Sequence, residues 1–407
     1  MLKSSKLVNK QTLALFSSIT AARSFHTLSP LLDSKPSLDS KLIIEKVLER
    51  SKWAPSGDNV QPWRFEIPSQ LSNSSTQFTI HNFDTRSHCV YDLRGSASCI
   101  ALGALLENIE LSCGEMGLSV EFSEPRVHEK DDSRVIVQVS IRDSNENIRK
   151  DDLSEFIEKR CVNRRPFSTK ALTPQEKQEF SQSVASLGFS LLWKESPMDR
   201  FKTALFLQKN GKLRLITPEA YATHSTIIEF GVNQSKDRIP SPAVGLDPLG
   251  LFFMKWALDG GWKRVDFLNR FMGGTLLPRL QMDLLPGFFC GGHFMLVAEK
   301  EAKDINDFIK VGRALQRLWL TSTKLGLQFQ PEATPVIFSN YVRNGVEFSE
   351  KEESRELAKS IEKTLNEMVE GKGKNTVFMG RVGHGKAPPG RSIRKSLNEL
   401  LLDPASQ

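Results

Sequence analysis

The sequence has few of the features that mark disulfide-linked, metal-binding or membrane-spanning proteins. Its five cysteines are odd in number and include no C-x-x-C pair, so neither a disulfide framework nor a zinc knuckle can be read from them. It contains no H-E-x-x-H motif, and no apolar run is long enough to span a bilayer. We therefore expect no bound metal, no membrane insertion, and thiols that are buried in a reducing compartment.

A strong surplus of one charge is also missing from most of the chain. Lysine and arginine exceed aspartate and glutamate by seven (55 against 48), but four of these charges precede the first acidic residue, Asp33. The remaining surplus gives little support for a polyanion partner, and we expect no nucleic acid. A basic module that binds nucleic acid or an anionic membrane through its leader and tail is the alternative.

Residues 1–38 are interpreted as a leader. The part before Asp33 is basic, rich in serine and threonine, and carries leucine and phenylalanine at roughly helical spacing. This composition is typical of a mitochondrial transit peptide. A disordered N-terminus that happens to lack acids is the alternative. We expect a mitochondrial location if the leader is a transit peptide, and a cytoplasmic location otherwise.

The rest of the chain mixes helical and strand patterns, which predicts the α+β class. Low-charge helical stretches are expected near residues 95–117 and 304–326, and a further helix is expected over 151–160. The expected parts are a first half (39–145), a second half (146–345) with an aromatic-rich insertion (217–286), and a C-terminal helix with a basic tail (346–407).

Two of the predicted helices match each other. The stretch from Gly103 to Gly117 aligns with that from Gly312 to Gly326, each spanning 14 positions (117 − 103 and 326 − 312), and a leucine follows each. Each second glycine suits a left-handed helix C-cap. The match predicts two pseudo-symmetric halves, with antiparallel or mixed sheets and long core helices, that form a pseudo-dimer within one chain. A chance likeness of two glycine-capped helices is the alternative.

The most specific string is Trp53-Ala-Pro-Ser-Gly-Asp-Asn-Val-Gln-Pro-Trp63. It resembles the A-P-S-x-x-N-x-Q-P-W loop of the nitroreductase-like FMN flavoproteins, and it lies between a predicted helix and a predicted strand, as in that family. The prolines stiffen the loop, and its short polar side chains can both donate to and accept from a flavin. The resemblance implies these cofactor contacts: Pro55, Ser56, Asn59 and Gln61.

A second string, Lys159-Arg-Cys-Val-Asn-Arg-Arg-Pro-Phe167, resembles the R-x-x-N-R-x-P-F segment with which longer members of the family hold the flavin phosphate. Guanidinium groups match phosphate oxygens in a bidentate manner. The resemblance implies that Arg160, Asn163 and Arg164 bind the phosphate. A solvated basic turn is the alternative.

Two further resemblances are shorter. The basic tail resembles the ending of long single-chain members, which implies that Arg394 also reaches the phosphate; a plain basic extension is the alternative. Gly326 and Leu327 resemble the G-L-G region beside the flavin ring. The string from Gly380 to Lys386 fits G-x-x-x-x-G-K, but Ala387 lacks the hydroxyl that a nucleotide-binding P-loop needs for magnesium.

The family resemblance implies an FMN-dependent oxidoreductase. Two electrons would pass from NADH or NADPH through the flavin to a small electron-poor acceptor such as a nitroaromatic, a quinone or an enone. The flavin carries this chemistry, so we predict no catalytic side chain. Each motif occurs once, so we expect one FMN per chain and no requirement for self-association. A non-catalytic protein that sequesters flavin beneath the 217–286 insertion is the alternative.

Overall fold

The computed structural model describes residues 40–68, 76–144 and 150–402. The predicted leader, residues 1–38, lies outside the described residues. Residues 39–407 belong to one unit. This unit combines helices with two antiparallel sheets, which confirms the α+β prediction.

Helices and strands are interspersed along the described chain. The helices are α1 (Ser40–Ser51), α2 (Ser96–Glu115), α3 (Pro174–Ala185), α4 (Pro197–Ile216), α5 (Pro218–Ile227), α6 (Pro248–Asp259), α7 (Gly261–Phe271), α8 (Leu276–Arg279), α9 (Leu285–Phe288), α10 (Ile305–Lys324), α11 (Thr334–Arg343), α12 (Glu352–Met368) and α13 (Leu397–Leu400). The strands are β1 (Trp63–Glu66), β2 (Thr76–Phe83), β3 (Leu118–Phe122), β4 (Arg126–His128), β5 (Asp131–Asp143), β6 (Phe189–Lys194), β7 (Ile228–Glu229), β8 (Gln234–Ser235), β9 (Ile239–Pro240), β10 (Gly292–Ala298), β11 (Gln328–Pro331), β12 (Thr376–Gly383) and β13 (Arg391–Ser392).

The two larger sheets are antiparallel, and the second includes β12, which lies beyond the predicted second half (146–345). The first has the order β1-β2-β5-β3, with β4 also paired to β5, and the second has the order β11-β12-β10-β6. In the first sheet Phe78 pairs with Val139 and Ile80 with Val137, and all four side chains are buried. This alternation places one face of the sheet against α1 and α2.

The helices α2 and α10 pack against each other and hold the core together. On one side α2 lies against the first sheet, and on the other α10 lies against the second. Arg313 and Arg317 of α10 bind the buried carboxylate of Glu107 at 2.8 and 2.7 Å. Among the described helices only α2 is long and apolar enough to cross a bilayer, and most of it is buried in this core.

The predicted helix at 151–160 differs from the structure. A short 3₁₀ turn covers Asp152–Phe156, and the chain is irregular beyond it. The Asp151 side chain caps this turn by accepting from the amide of Leu153 at 3.0 Å, and it also pairs with Arg317 at 2.7 Å. These bonds fix the segment against α10, and leave the following arginines in extended chain.

The C-terminal tail returns to the first half. Leu397 and Leu400 of α13 join the core of the first sheet, and the amide of Leu402 donates to the carbonyl of Phe65 at 2.8 Å. Before this, β13 pairs with β8 of the insertion. The string that fits a P-loop begins inside β12, which ends at Gly383, so its first glycines lie in a strand and form no phosphate-binding loop.

Candidate functional site

A cavity of about 600 Å³ is lined by residues of both halves. Its walls come from the loop before β1, the first turns of α2, the segment after β11, part of the insertion, and the C-terminal tail. Small-molecule sites commonly enclose roughly 300 to 1,000 Å³. Six of the predicted cofactor contacts line this cavity: Pro55, Ser56, Asn59, Arg160, Arg164 and Arg394.

The loop before β1 has an unusual backbone. Asp58, Asn59 and Gln61 have φ angles of 49°, 65° and 52°, in the left-handed region that side chains other than glycine seldom adopt. The loop is held by its own polar groups: the Gln61 amide N–H donates to Ser56 Oγ at 3.0 Å, and Gln61 Nε2 donates to the carbonyl of Asn59 at 2.9 Å. Strained backbone of this kind is concentrated at binding and catalytic sites.

Gln61 itself does not face the cavity. Its Nε2 also donates to the carbonyl of Lys236 in the insertion at 2.8 Å, and its Oε1 accepts from the amide of Lys395 in the tail at 2.9 Å. The side chain is fully buried, and both ends of its amide are bound by protein. Its position makes it the link that joins the loop, the insertion and the tail.

Three other predicted contacts also lie away from the cavity lining. Asn163 Nδ2 donates to Gln328 Oε1 at 2.9 Å and to the carbonyl of Lys386 at 2.8 Å, so its amide orders the basic segment. Gly326, with a φ of 69°, ends α10 in the left-handed conformation. Leu327 is buried in the core of the second sheet.

Arg394 connects the tail to the loop. Its guanidinium donates to Asn59 Oδ1 at 2.8 Å and to the carbonyls of Trp53, Ala54 and Ile393 at 3.2, 2.9 and 2.9 Å. All of these acceptors are neutral. The charge of this partly buried arginine is therefore hydrogen-bonded, but no carboxylate among the described residues neutralises it.

Two more arginines accompany Arg394. Arg160 stacks on Trp319 at 4.3 Å, while Arg391 and Arg394 lie over the ring of Trp53 at 4.9 and 5.7 Å. Burial and the charge of Arg391 lower the pKa of Arg160 to about 10, despite an opposing effect of Cys161. Burial and its two arginine neighbours also lower the pKa of Arg394. We call Arg160, Arg391 and Arg394 the arginine cluster.

The arginine cluster retains unused hydrogen-bonding capacity. Nε of Arg160 and Nε of Arg391 are buried, and neither has a partner among the described residues. Within the same part of the chain, no carboxylate forms an ion pair with any of the three guanidinium groups. Buried positive charges that repel one another, with free donors, are the chemistry of an anion site.

Arg164 lies at another part of the cavity. Its Nη1 donates to the carbonyl of Ala243 at 3.0 Å. Burial lowers its pKa to about 10, against the opposing charge of Asp58, and burial raises the pKa of Asp58, against the opposing charge of Arg164. The structure therefore separates Arg164 from the arginine cluster and associates it with the strained loop.

The cavity lining also includes a neutral hydrogen-bonding pair, Tyr91 and His224. Burial lowers the pKa of His224 to about 3, so its ring is uncharged at neutral pH, and its Nε2 lies 2.8 Å from the hydroxyl of Tyr91. Burial likewise raises the pKa of nearby Cys89 to about 11. The thiol is therefore protonated at neutral pH and is a poor nucleophile.

A charged network lies behind the segment after β11. Nδ1 of His293 lies 2.8 Å from Glu332 Oε2, and Nε2 lies 2.8 Å from the carbonyl of Gly287. Arg381 contacts the other Glu332 oxygen at 3.4 Å. Both ring nitrogens of His293 thus face acceptors, which is the environment of an imidazolium.

Several polar atoms of the cavity lining are buried without a partner. Asp283 binds Arg214 Nη2 at 2.6 Å, yet Nε of Arg214 remains free, as do the side-chain oxygens of Asn210 and Gln330. Buried polar groups are nearly always hydrogen-bonded in folded proteins. The lining is thus equipped for a ligand that offers both donors and acceptors.

Comparisons with known proteins give limited information. The chain matches no protein-family model and no curated protein. A crystal structure of a candidate nitroreductase from Anabaena variabilis superposes with a TM-score of 0.38 and 10% identity, covering 85% of this chain and 88% of that chain. Values this low identify neither the fold family nor the activity of the chain, so the interpretation of the cavity depends on the residues described above.

Proposed function

We propose that the cavity binds FMN and that the protein is an NAD(P)H oxidoreductase of the nitroreductase-like type. The arginine cluster carries this proposal. It lies at one part of the cavity, while the loop at 55–62, which resembles the flavin loop of that family, lies beside it. The two motifs that the sequence resemblance links to FMN therefore line one cavity, although about a hundred residues separate them in sequence.

The arginine cluster would hold the phosphate. A dianionic phosphate would pair with the free donors of Arg160 and Arg391 and would cancel the repulsion among the three charges. The N–H groups of Arg394 already donate to protein oxygens, so Arg394 would contribute positive charge near the phosphate and would hold the loop in place. This division of roles follows from the hydrogen bonds that each guanidinium makes.

The loop and the free polar atoms would hold the flavin ring. Ser56 lines the same cavity as the side-chain oxygens of Asn210 and Gln330, which are unpaired among the described residues, whereas both ends of the Asn59 amide are already bound by protein. Such atoms match a ring edge that both donates and accepts hydrogen bonds. When bound, FMN would supply two-electron transfer between the nicotinamide and an electron-poor acceptor, so the chain itself needs only to bind, orient and exclude water.

We also propose one flavin per chain, in an intrachain pseudo-dimer. The cavity draws on both halves, and α2 and α10 cross through the two glycines that the sequence comparison aligns. Read from β6, the second sheet has the order β6-β10-β12-β11, which matches β1-β2-β5-β3 strand for strand. In each case the core helix follows the second of these strands in sequence, which supports a duplication around a single site.

One observation favours the alternative of flavin sequestration. Part of the insertion, including His224, Arg238, Val244 and Asp283, lines the cavity. A wall of this kind would restrict access of the nicotinamide to the flavin. Both functions share the FMN site and differ in whether the bound flavin can be reduced.

The absorption spectrum of the purified protein tests both proposals. We expect a yellow protein with about one FMN per chain that bleaches when NADPH or NADH is added under anaerobic conditions. Flavin that stays oxidised with both nucleotides, but is reduced by dithionite, would establish sequestration. A colourless protein that takes up no added FMN would exclude both functions.

A further inference from the structure

The helix α6 turns its apolar side chains outward. Leu249, Phe252, Phe253 and Trp256 follow the i, i+3, i+4, i+7 spacing of a single helical face, and between 46% and 65% of each is exposed. A surface helix normally packs such a face against the core. In α6 only Gly250 is buried.

The elements after α6 extend this surface. Twelve of the eighteen exposed large apolar residues of the described chain lie between residues 249 and 289. We define the apolar ridge as the ten of these that lie on α6, on α7 and in the stretch up to residue 280, just after α8: Leu249, Phe252, Phe253, Trp256, Phe267, Phe271, Met272, Leu276, Leu277 and Leu280.

The orientation of the ridge is fixed by bonds on the inner side of the helix pair. Tyr221 donates to the carbonyl of Leu258 at 3.0 Å and packs on the ring of Trp262 at 5.7 Å. Asn269 of α7 donates to the carbonyl of Leu215 at 2.8 Å. The helices are therefore anchored to α4 and α5, and the ridge faces outward because the other side is already bonded.

Phenylalanine rings of the ridge pack in pairs and remain at least half exposed. Phe252 pairs with Phe253 at 5.6 Å and Phe267 pairs with Phe271 at 5.2 Å between ring centroids. Exposed side chains of this kind need no complementary pocket when they enter hydrocarbon. Phenylalanine, leucine and tryptophan are the residues that lie in the boundary between headgroups and acyl chains.

The charges around the ridge favour an anionic surface. Between residues 248 and 285 there are five basic and three acidic residues, a balance of 5 − 3 = +2. Lys263 is exposed on α7, and Arg264 lies over the Trp256 ring at 4.7 Å. Basic side chains beside an apolar helical face are attracted to anionic headgroups when that face enters a bilayer.

We infer that the apolar ridge docks the protein on an anionic phospholipid bilayer. The attachment is interfacial, because α6 and α7 have 12 and 11 residues and a spanning helix needs about 20. The inference does not depend on the flavin, since it uses none of the arginine cluster. It departs from the expectation of no membrane insertion, because the ridge side chains would enter the boundary between headgroups and acyl chains without spanning the bilayer.

Flotation of the full chain with vesicles tests the inference. We expect the protein to float with vesicles of phosphatidylcholine that contain a minority of phosphatidylglycerol, and to float less well with phosphatidylcholine alone. The double variant Phe252→Glu with Phe271→Glu should lower the partition coefficient more than about tenfold. The matched control is Leu42→Glu with Val127→Glu, which makes the same changes at exposed apolar residues elsewhere and should float as the unaltered chain does.

The circular dichroism spectrum and the unfolding midpoint of each variant establish that it is folded. Equal flotation of the ridge variant and its control would overturn the inference, as would failure of the unaltered chain to float. A third outcome is that the unaltered chain fails to float but forms a concentration-dependent dimer, and that the ridge variant is monomeric. That result would assign the ridge to an interface between copies of the chain instead. Quenching of Trp256 by brominated lipid, lost in Trp256→Phe, would place the ridge itself in the bilayer.

Discussion

Gly103 of α2 and Gly312 of α10 meet backbone to backbone, and the contact is reciprocal. A Cβ atom on Gly103 would lie 2.0 Å from the carbonyl oxygen of Ile309, and one on Gly312 would lie 2.0 Å from that of Ile100. Each carbonyl belongs to the residue three positions before the opposite glycine. Equivalent contacts in both directions are the geometry of a two-fold interface, which supports the proposed duplication.

This crossing should tolerate no side chain. Gly103→Ala would push a methyl group into a backbone carbonyl that belongs to a buried helix, so the helices would have to separate. We expect the free energy of unfolding in urea to fall by at least about 3 kcal/mol. Gly57→Ala is the control, because a Cβ there would meet nothing within 4 Å. Equal free energies of unfolding for the two variants would show that α2 and α10 can accommodate the methyl group without loss of stability.

The arginine cluster should recognise the phosphate and not the ring. Arg160→Ala removes a buried guanidinium with a free Nε, so we expect FMN affinity to fall more than about tenfold while riboflavin affinity changes less than about threefold. Fluorescence titration with both flavins measures the ratio. Arg165→Ala, at an exposed arginine of the same segment, should leave both affinities unchanged. A parallel loss of both flavins in Arg160→Ala would contradict the phosphate assignment.

The bonds of Arg394 should require a guanidinium. Its donors reach four protein oxygens, and the three donors of one lysine ammonium cannot span them. We expect Arg394→Lys to lower the free energy of unfolding by about 2 kcal/mol and to speed hydrogen exchange of the amides at 53–61. Lys395→Arg, one position away, is the control and should change neither the free energy of unfolding nor the hydrogen exchange at 53–61. Unchanged exchange in the lysine variant would mean that the loop holds its shape without the tail.

Stability at alkaline pH should depend on His293. Burial alone would lower the pKa of His293, but Glu332 and Cys290 raise it more strongly. The resulting pKa is about 10. A pKa raised by folding gives stability that is complete below the unfolded value of about 6.5 and is lost as the pH rises through about 10. We therefore expect His293→Gln to be less stable near neutral pH and to show a flatter decline of unfolding free energy between these values.

The exposed His88 gives the control for this measurement, since His88→Gln should retain the slope of the unaltered chain. If the free energy of unfolding of His293→Gln falls with pH as steeply as that of the unaltered chain, groups other than His293 cause the loss of stability at alkaline pH.

Local signals in the sequence predicted the elements well. Thr173, followed by a proline and Glu176, is a helix-start signal that can be read locally, and the structure has both bonds of a capping box there. The glycines at 103 and 312 were found by alignment, without any indication that they touch. The 151–160 segment was predicted as a helix because its pairing with Arg317 of α10 cannot be seen locally.

The site was only partly predictable for the same reason. The loop and Arg160 were identified from motifs, and Arg391 was one of several basic residues in the tail. Tyr91 and His224 stand 133 positions apart, and nothing near either residue indicates that they form a pair. The insertion that contains α6 was considered as a cover over the flavin, because apolar spacing does not reveal which side of a helix faces the protein.

The return of the tail also determines when the protein can mature during synthesis. Leu397 and Leu400 complete the core of the first sheet, and Arg394 fixes the loop at 53–59, yet these residues are synthesised after all the others of that core and that loop. A nascent chain that has already made both sheets still has an open core in its first half and an unfinished cavity. The cavity is therefore completed only after residues 391–400 have left the ribosome, and a chain that stops before residue 391 would emerge without it.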